Sequence, residues 1–343
     1  MIAVSVVIPT FNRAHLIGRA IESVLGQIEI GDEIIVIDDG STDETYQAVL
    51  KYQDKIIYIR QINSGAGAAR NRGVASAKNP LIAFLDSDDE WKPGKLKFQR
   101  RLMEKRKDIV FSFTDFSVRG KNGIEEHDFI KNWLRGYTNL TAVKTIAEIL
   151  GPPIPYSSLA PLEPNEKDFS VHIGNMYKYE LQNNCIFTGC IVVNRETAGS
   201  ALHFAEDIMT FEDYECYGRL SGAGVGAYLD IETAIQVSHA GGRLTDTNIE
   251  NSIRARLKLT ERIWGQNTEF LKENRADYDK VISQLHMILI KALISNGKNA
   301  EARQLLKNNG HSPFYYRIMA ALPAPAIKGL KRIKSFLARD LLC

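Results

Sequence analysis

The sequence predicts an α/β protein: a mainly parallel sheet with helices on both faces, followed by a helical C-terminal region. Three observations predict it. Up to residue 116, continuous β-branched runs alternate with stretches of helical period. Such runs mark strands buried on both faces, as in a helix-covered parallel sheet. From Asn248 onward the chain is helical by pattern.

The elements follow in order. Residues 4–8 form the first strand. Asn12 is placed to cap the next helix, whose inward residues Leu16, Ile17, Ala20, Ile21, Val24 and Leu25 keep helical spacing. Residues 33–37 form the second strand. The turn Asp38-Asp39-Gly40-Ser41-Thr42-Asp43 carries helix-capping residues and leads into a helix to about Tyr52. Residues 56–59 and 81–85 are strands three and four, separated by a loop and helix over 65–77. A helix follows Lys92-Pro93-Gly94, and residues 109–116 form a fifth strand. This βαβαβαβ order implies a mainly parallel sheet with helices on both faces. Five of the eleven prolines lie between Gly151 and Pro164, the mark of an irregular surface loop. Strand character returns over 185–193, residues 211–220 are helical, and 225–237 hold one or two strands. Helices over 249–273, 277–295 and 300–307 complete the chain.

Composition narrows the classes. With 343 residues, 44% apolar and 24% charged, the chain has ample material for a large core and is neither disordered nor fibrous. A net charge of +2 argues against a nucleic-acid-coating protein. Cys185, Cys190, Cys216 and Cys343 are too scattered for a disulfide framework or zinc spacing; Cys185 and Cys190 are expected on one strand, as free thiols in a reducing cytosol. The N-terminal segment is expected to be a strand and not a signal peptide. No apolar run reaches the ~20 residues of a spanning helix.

In an open parallel sheet, ligands bind beyond the carboxyl ends of the strands. Those ends carry Pro9-Thr10-Phe11-Asn12-Arg13, Asp38-Asp39, Asn63-Ser64-Gly65-Ala66-Gly67 and Asp86-Ser87-Asp88-Asp89. Asp86 and Asp88, two apart, point the same way in extended chain. This acidic cluster suits a hard divalent cation such as Mg²⁺ or Mn²⁺ bridging to a diphosphate. Gly65-Ala66-Gly67-Ala68-Ala69-Arg70 half-matches the dinucleotide fingerprint, but Arg70 stands where a third glycine is needed for close helix–sheet packing. Its small residues are expected to serve tight packing instead. In Phe211-Glu212-Asp213-Tyr214-Glu215 the acids are either ordinary first-turn charges on a helix or a general base. His239 ends a predicted strand beside two glycines and is a candidate metal ligand.

Together, VSVVIPTFNR, IIVIDDGSTDET, NSGAGAARNRG and IAFLDSDDEWKPGKL, followed by FEDYE and His239, resemble the family-2 glycosyltransferases of GT-A fold. The motifs cover residues 4 to about 98, and 117–180 match nothing named. The resemblance implies a nucleotide-diphospho-sugar transferase with a Rossmann-like sheet, inverting and metal-dependent. Pro9, Phe11 and Asp39 would line the nucleoside pocket, and Arg70 would help hold the nucleotide. Asp86 would contact the ribose or metal side, Asp88 would bind the Mn²⁺ or Mg²⁺, and Asp89 and His239 would be further metal ligands. Asp213 would be the catalytic base and Glu212 an acceptor contact. The donor would be a nucleoside-diphosphate sugar, foremost a UDP-sugar. The acceptor would be a glycan or lipid-linked hydroxyl in cell-surface polysaccharide synthesis.

The expected domains are a transferase domain at 1–245, with a nucleotide-binding half at 1–116 and an acceptor-side half at 117–245, and a helical region at 246–343. From Arg317 the tail holds six basic residues and one acid, and Ile327, Leu330, Ile333, Leu337 and Leu341 share one helical side. That pattern fits an interfacial helix on anionic lipid, or a terminal helix packed on the body. The expected location is cytoplasmic, with the tail as a peripheral membrane contact. Two rivals remain at this level. A nucleotidyltransferase would want a glycine-rich, lysine-bearing loop after strand one. A non-catalytic sugar-nucleotide-binding relative would hold Asp213 far from Asp88.

Overall fold

The computed structural model describes residues 1–136, 145–238 and 249–308. The chain forms two compact units, Met1–Gly242 and Arg243–Cys343. The first holds one sheet whose strands lie in the order β3-β2-β1-β4-β10-β6-β11-β9-β8. β1 (Val4–Thr10), β2 (Glu33–Asp38), β3 (Ile57–Arg60) and β4 (Leu81–Phe84) are parallel, as the alternating pattern predicts. β5 (Glu90–Trp91) and β7 (Glu125–Glu126) are short side pairs on β11 (Val225–Val237) and β6 (Ile109–Arg119). β8 (Ile154–Pro155) and β9 (Ser170–Gly174) extend the far edge antiparallel. β10 (Val192–Asn194) slots between β4 and β6, antiparallel to both.

That insertion is one departure from the sequence expectation. Residues 185–193 do not form a full strand: Thr188–Cys190 is a 3-10 turn, and only Val192–Asn194 pairs. Cys185 and Cys190 therefore do not share a strand, although both are free and buried. Burial pushes the Cys190 thiol up to about 12, so it is inert as a nucleophile near neutrality.

The helices that cover the sheet begin with α1 (Ile17–Leu25), α2 (Thr45–Leu50), α3 (Ala66–Ser76) and α4 (Lys95–Lys105). Ile17, Ala20, Ile21 and Val24 of α1 are buried, the face read from their spacing. Asn12 does not cap α1, which starts after Leu16. Asn12 instead adopts a left-handed φ of 52°, and its Oδ1 accepts the Thr42 N–H at 2.8 Å, tying the loop after β1 to the loop after β2. The short helices α5 (Phe129–Gly136), α6 (Ile146–Leu150), α7 (Tyr177–Glu180) and α8 (Arg195–Ala198) lead to α9 (Glu212–Ala223).

Small residues do serve packing on α3. A Cβ on Gly73 would stand 2.2 Å from Val7 Cγ1 of β1, so the helix lies against the strand at glycine distance. Gly73→Ala forces helix and strand apart, and the expected loss is about 1–3 kcal/mol, read as a lower urea midpoint.

Lys95 is fully buried under the sheet's carboxyl end, donating to Gln99 Oε1 at 2.7 Å and to the Cys190 carbonyl at 3.1 Å. Burial lowers its pKa to about 7. The unfolded lysine titrates near ~10.4, so between those values the unfolded chain binds the extra proton and stability rises with pH. Lys95→Met removes that rise, which thermal melts from pH 7 to 10 measure.

In the second unit, α10 (Ile249–Thr260) runs into a π-helical turn at Glu261–Gly265, α11 (Thr268–Ser295) carries a break at Asn274, and α12 (Asn299–Asn308) follows. Leu289, Ile290, Leu293 and Ile294 of α11 pack with Ala302 and Leu306 of α12. The expected helix over 249–273 is thus interrupted at the π-helical turn, where hydrogen bonds run i→i+5, and α11 spans the expected gap between 273 and 277. The basic tail lies outside the described residues. No helix among the described residues is long and apolar enough to cross a membrane.

Candidate active site

Each strand of the parallel half delivers a polar loop at its carboxyl end. After β1, Pro9 is buried in register with Ile37, and Phe11 is 42% exposed. After β2, Asp38 is a structural acid: it accepts from Ser41 N–H and the Tyr58 hydroxyl. Asp39 accepts from Gln61 Nε2 (2.8 Å), Ser64 N–H (2.9 Å) and Gly65 N–H (2.8 Å). A carboxylate has about four acceptor sites, so Asp39 retains capacity for one more donor. Gly40 sits at φ +79°, and a Cβ there would meet Asn63 N at 2.9 Å; the turn needs glycine. Gly40, Arg60, Gln61, Ile62 and Asn63 line an open cleft of about 590 Å³ beside Asp39. A comparable cleft, about 680 Å³ and lined by Met1, Ile28, Glu29 and Ile30, lies at the amino ends of the strands, away from these loops.

After β4 the chain does not stay extended. The Asp89 N–H donates to the Asp86 carbonyl at 3.0 Å, closing a turn. Asp86 and Asp88 are therefore not two equivalent arms of one extended segment. Asp86 Oδ1 accepts from Arg70 at 2.8 Å, whereas Asp88 lies 3.7 Å from Arg13 Nε. Asp89 is buried, and its Oδ1 accepts the Val237 N–H at 2.9 Å, stitching β11 to this loop.

The acids of FEDYE open α9. Phe211, immediately before them, holds a left-handed φ of 70°, a conformation that costs an L-residue roughly 1–2 kcal/mol. Strain of this kind persists where surrounding contacts impose it. Here α3 imposes it. Arg70 donates to Glu212 Oε1 at 2.7 Å, and Asn71 exchanges hydrogen bonds with the Phe204 backbone, both at 2.8 Å. The Arg70 guanidinium also lies over the Phe204 ring. Burial opposes its charge, but Asp86 and Glu212 hold the guanidinium pKa well above its ordinary value. One buried arginine thus joins the end of β4 to the start of α9.

Asp213 is half-buried beside this pair. Burial first, and the Glu212 carboxylate second, push its pKa up to about 7, against a downward pull from Arg70. Its Oδ1 accepts the Tyr214 N–H at 2.7 Å, and Oδ2 accepts the Thr188 hydroxyl at 3.3 Å. A carboxylate poised near neutrality has the basicity that general-base work requires.

The donor set around the β4 turn is all oxygen and carries excess negative charge, which fits a hard divalent cation. His239 lies outside the described residues. Among the described residues, Glu125, His127 and Glu232 bring their ligand atoms within 4.8 Å of one another. Lys92 already stands between the two carboxylates, 2.6 Å from Glu125 and 3.0 Å from Glu232. Its ammonium supplies the cation there, and holds Glu125 down to about 2. Sequence reasoning missed Thr188, Tyr217 and Asn71. Tyr217 had a signal, standing four residues after Asp213 on one predicted helix face; Thr188 had none.

This architecture, with its acidic β4 turn facing a Glu-Asp helix start, is the GT-A fold. Residues 5–159 match the family described as Glycosyl transferase family 2. Those 155 of the chain's 343 residues are thus similar to that family. It is 38% identical over 132 residues to a putative teichuronic acid biosynthesis glycosyltransferase, TuaG, of Bacillus subtilis, covering 37% of this chain and 52% of the relative. It is 37% identical over 123 residues to WfgD of Escherichia coli, named as a UDP-Glc:alpha-D-GlcNAc-diphosphoundecaprenol beta-1,3-glucosyltransferase, covering 35% and 48%. The chain thus spans about half or less of the length of such relatives. The crystal structure of S. aureus TarS 1–349 in complex with UDP-GlcNAc superposes with a TM-score of 0.57 at 16% identity, covering 93% of this chain and 91% of that one. At that identity the likeness establishes the fold.

Proposed function

We propose that this chain is an inverting glycosyltransferase that moves a sugar from a UDP-sugar to a hydroxyl of a glycan or lipid-linked acceptor during cell-surface polysaccharide synthesis. The observation that carries this reading is the Arg70 bridge, with Asp86 at 2.8 Å and Glu212 at 2.7 Å from one guanidinium. It holds the donor-side turn and the Glu-Asp motif in one neighbourhood, where a non-catalytic relative would not need them. The match of residues 5–159 to Glycosyl transferase family 2 supports the reaction class, and the names of WfgD and of the TarS complex support a UDP-sugar.

In this mechanism the base of the nucleotide lies against Phe11 and Pro9 and donates an N–H to the remaining acceptor site of Asp39. Arg70 pairs with both Asp86 and Glu212, and so holds the nucleotide-facing turn in place. A divalent cation held by Asp88, with Asp89 and His239 as further ligands, would neutralise the diphosphate as it departs. Asp213 takes the acceptor hydroxyl proton as that oxygen attacks the anomeric carbon from the face opposite the diphosphate. The carbon–oxygen bond to the diphosphate breaks, its electron pair leaves with UDP, and the anomeric centre inverts. Glu212 contacts the acceptor.

A panel of UDP-, GDP- and dTDP-sugars with Mn²⁺, Mg²⁺ or EDTA tests this, with binding read by thermal shift and turnover by nucleotide release. The expected result is a response to a UDP-sugar that EDTA abolishes and Asp88→Ala loses. A folded protein that responds to no sugar nucleotide overturns the reading. The lipid-linked acceptor would give the basic tail a purpose at the cytoplasmic membrane face. Co-sedimentation with anionic liposomes is expected for the full chain and lost on removing residues 324–343; equal sedimentation of both refutes that role.

A further inference from the structure

The turn at Thr188–Cys190 is held more firmly than a connecting segment requires. Trp91 Nε1 donates to the Gly189 carbonyl at 2.7 Å, and Lys95 and Gln99 donate to the Cys190 carbonyl at 3.1 and 3.0 Å. All three donors come from the segment that follows the β4 acidic turn. The turn they hold presents the Thr188 hydroxyl to Asp213 Oδ2, and it receives the Tyr217 hydroxyl at 2.9 Å. Thr188 is 2% exposed and Tyr217 is fully buried, so no solvent competes for either hydroxyl.

The proton directions in this chain follow from chemistry. An ionised carboxylate only accepts, so the Thr188 hydroxyl must give its one proton to Asp213. Its oxygen can then only accept from Tyr217. Tyr217 thereby selects the Thr188 rotor that serves the base. Asp213 has one oxygen fixed by Thr188 and the other by Tyr214 N–H, and each keeps a second lone pair for a substrate proton.

We propose that Thr188 and Tyr217 are positioning residues for Asp213, a two-hydroxyl relay that fixes the carboxylate plane and stabilises its ionised form. The proposal rests on Asp213 being the base. The groups facing Asp213 are Arg70 from α3, Asp86 from the β4 turn, and Glu212, Cys216 and Tyr217 from α9. Among them Arg70 favours the ionised carboxylate, Glu212 and Asp86 oppose it, and the Thr188 hydrogen bond favours it.

The test follows the Asp213 carboxyl by ¹³C NMR titration of the full chain, the resonance being assigned by its loss in Asp213→Asn. Thr188→Val is expected to make ionisation about tenfold less favourable, the scale of a hydrogen bond to a charged group. Tyr217→Phe is expected to move it the same way by less, and Thr188→Ser to restore the wild-type curve. With the UDP-sugar that responds in the panel, kcat falls about tenfold in Thr188→Val, its acid limb moves to higher pH, and donor KM stays unchanged. Wild-type titration curves in both Thr188→Val and Tyr217→Phe overturn the relay. Full transfer activity in Asp213→Asn overturns the base assignment instead, while the titration still judges the relay. Should Thr188→Val fail to fold, Tyr217→Phe and Thr188→Ser decide the question by the same titration.

Discussion

Asp213→Asn is expected to lower sugar transfer by about 10²–10⁴, the usual worth of a positioned general base, while leaving UDP-sugar binding intact. The substitution keeps shape and removes only the proton acceptor. The same change should raise thermal stability at alkaline pH. The folded carboxyl titrates at about 7, against ~3.9 when unfolded. Between those values the folded state binds the extra proton, so wild-type stability falls as pH rises through the window. Asparagine carries no such charge. The melting temperature of Asp213→Asn should therefore match wild type near pH 4 and exceed it above pH 7. Wild-type activity runs the other way, rising with pH through about 7 as the base ionises. A variant both inactive and more stable at pH 8 is the expected signature; an active variant, or one with no stability gain, contradicts it.

Arg70→Leu should have the largest effect on stability. Arg70 is 5% exposed and is the cation for both Asp86 and Glu212. Removing one partner from a buried ion pair costs about 3–5 kcal/mol, because the remaining charges stay desolvated. Losing Arg70 also removes the pull that lowers the Asp213 pKa, so any residual activity should need higher pH. Arg70→Lys should recover only part of the loss, since one ammonium cannot reproduce two guanidinium edges aimed at two carboxylates. Urea denaturation of the three proteins, with donor-binding thermal shift, measures both consequences. Equal stability of Arg70→Leu and wild type would mean that the two carboxylates find water or another cation instead.

The parallel half of the sheet was legible because its evidence is local. Val4 to Ile8 is buried residue for residue, and the inward face of α1 is the one its spacing gave. The positions of the acids at the ends of β2 and β4 and at the start of α9 were legible for the same reason. Asn12 was not. A short polar residue before a helix has the residue type of a cap, but its side chain reaches the β2 loop instead, thirty residues along the chain. Residues 185–193 have strand composition, yet Thr188–Cys190, held by contacts of Trp91, Lys95 and Gln99, is a turn.

Hydrophobic period, turn residues and acidic strand ends depend on neighbours a few positions away, and those the sequence determined by itself: an α/β chain with a mainly parallel sheet and carboxylates at the carboxyl ends of its strands. The order in which β10 enters between β4 and β6 was decided only in three dimensions. So were the Arg70–Glu212 pair, 142 residues apart, and the Thr188 contact with Asp213. Ion pairs and hydrogen bonds act over about 3 Å in space regardless of chain separation. Which distant groups come within that range is set by how the helices and strands pack, and no local pattern encodes it.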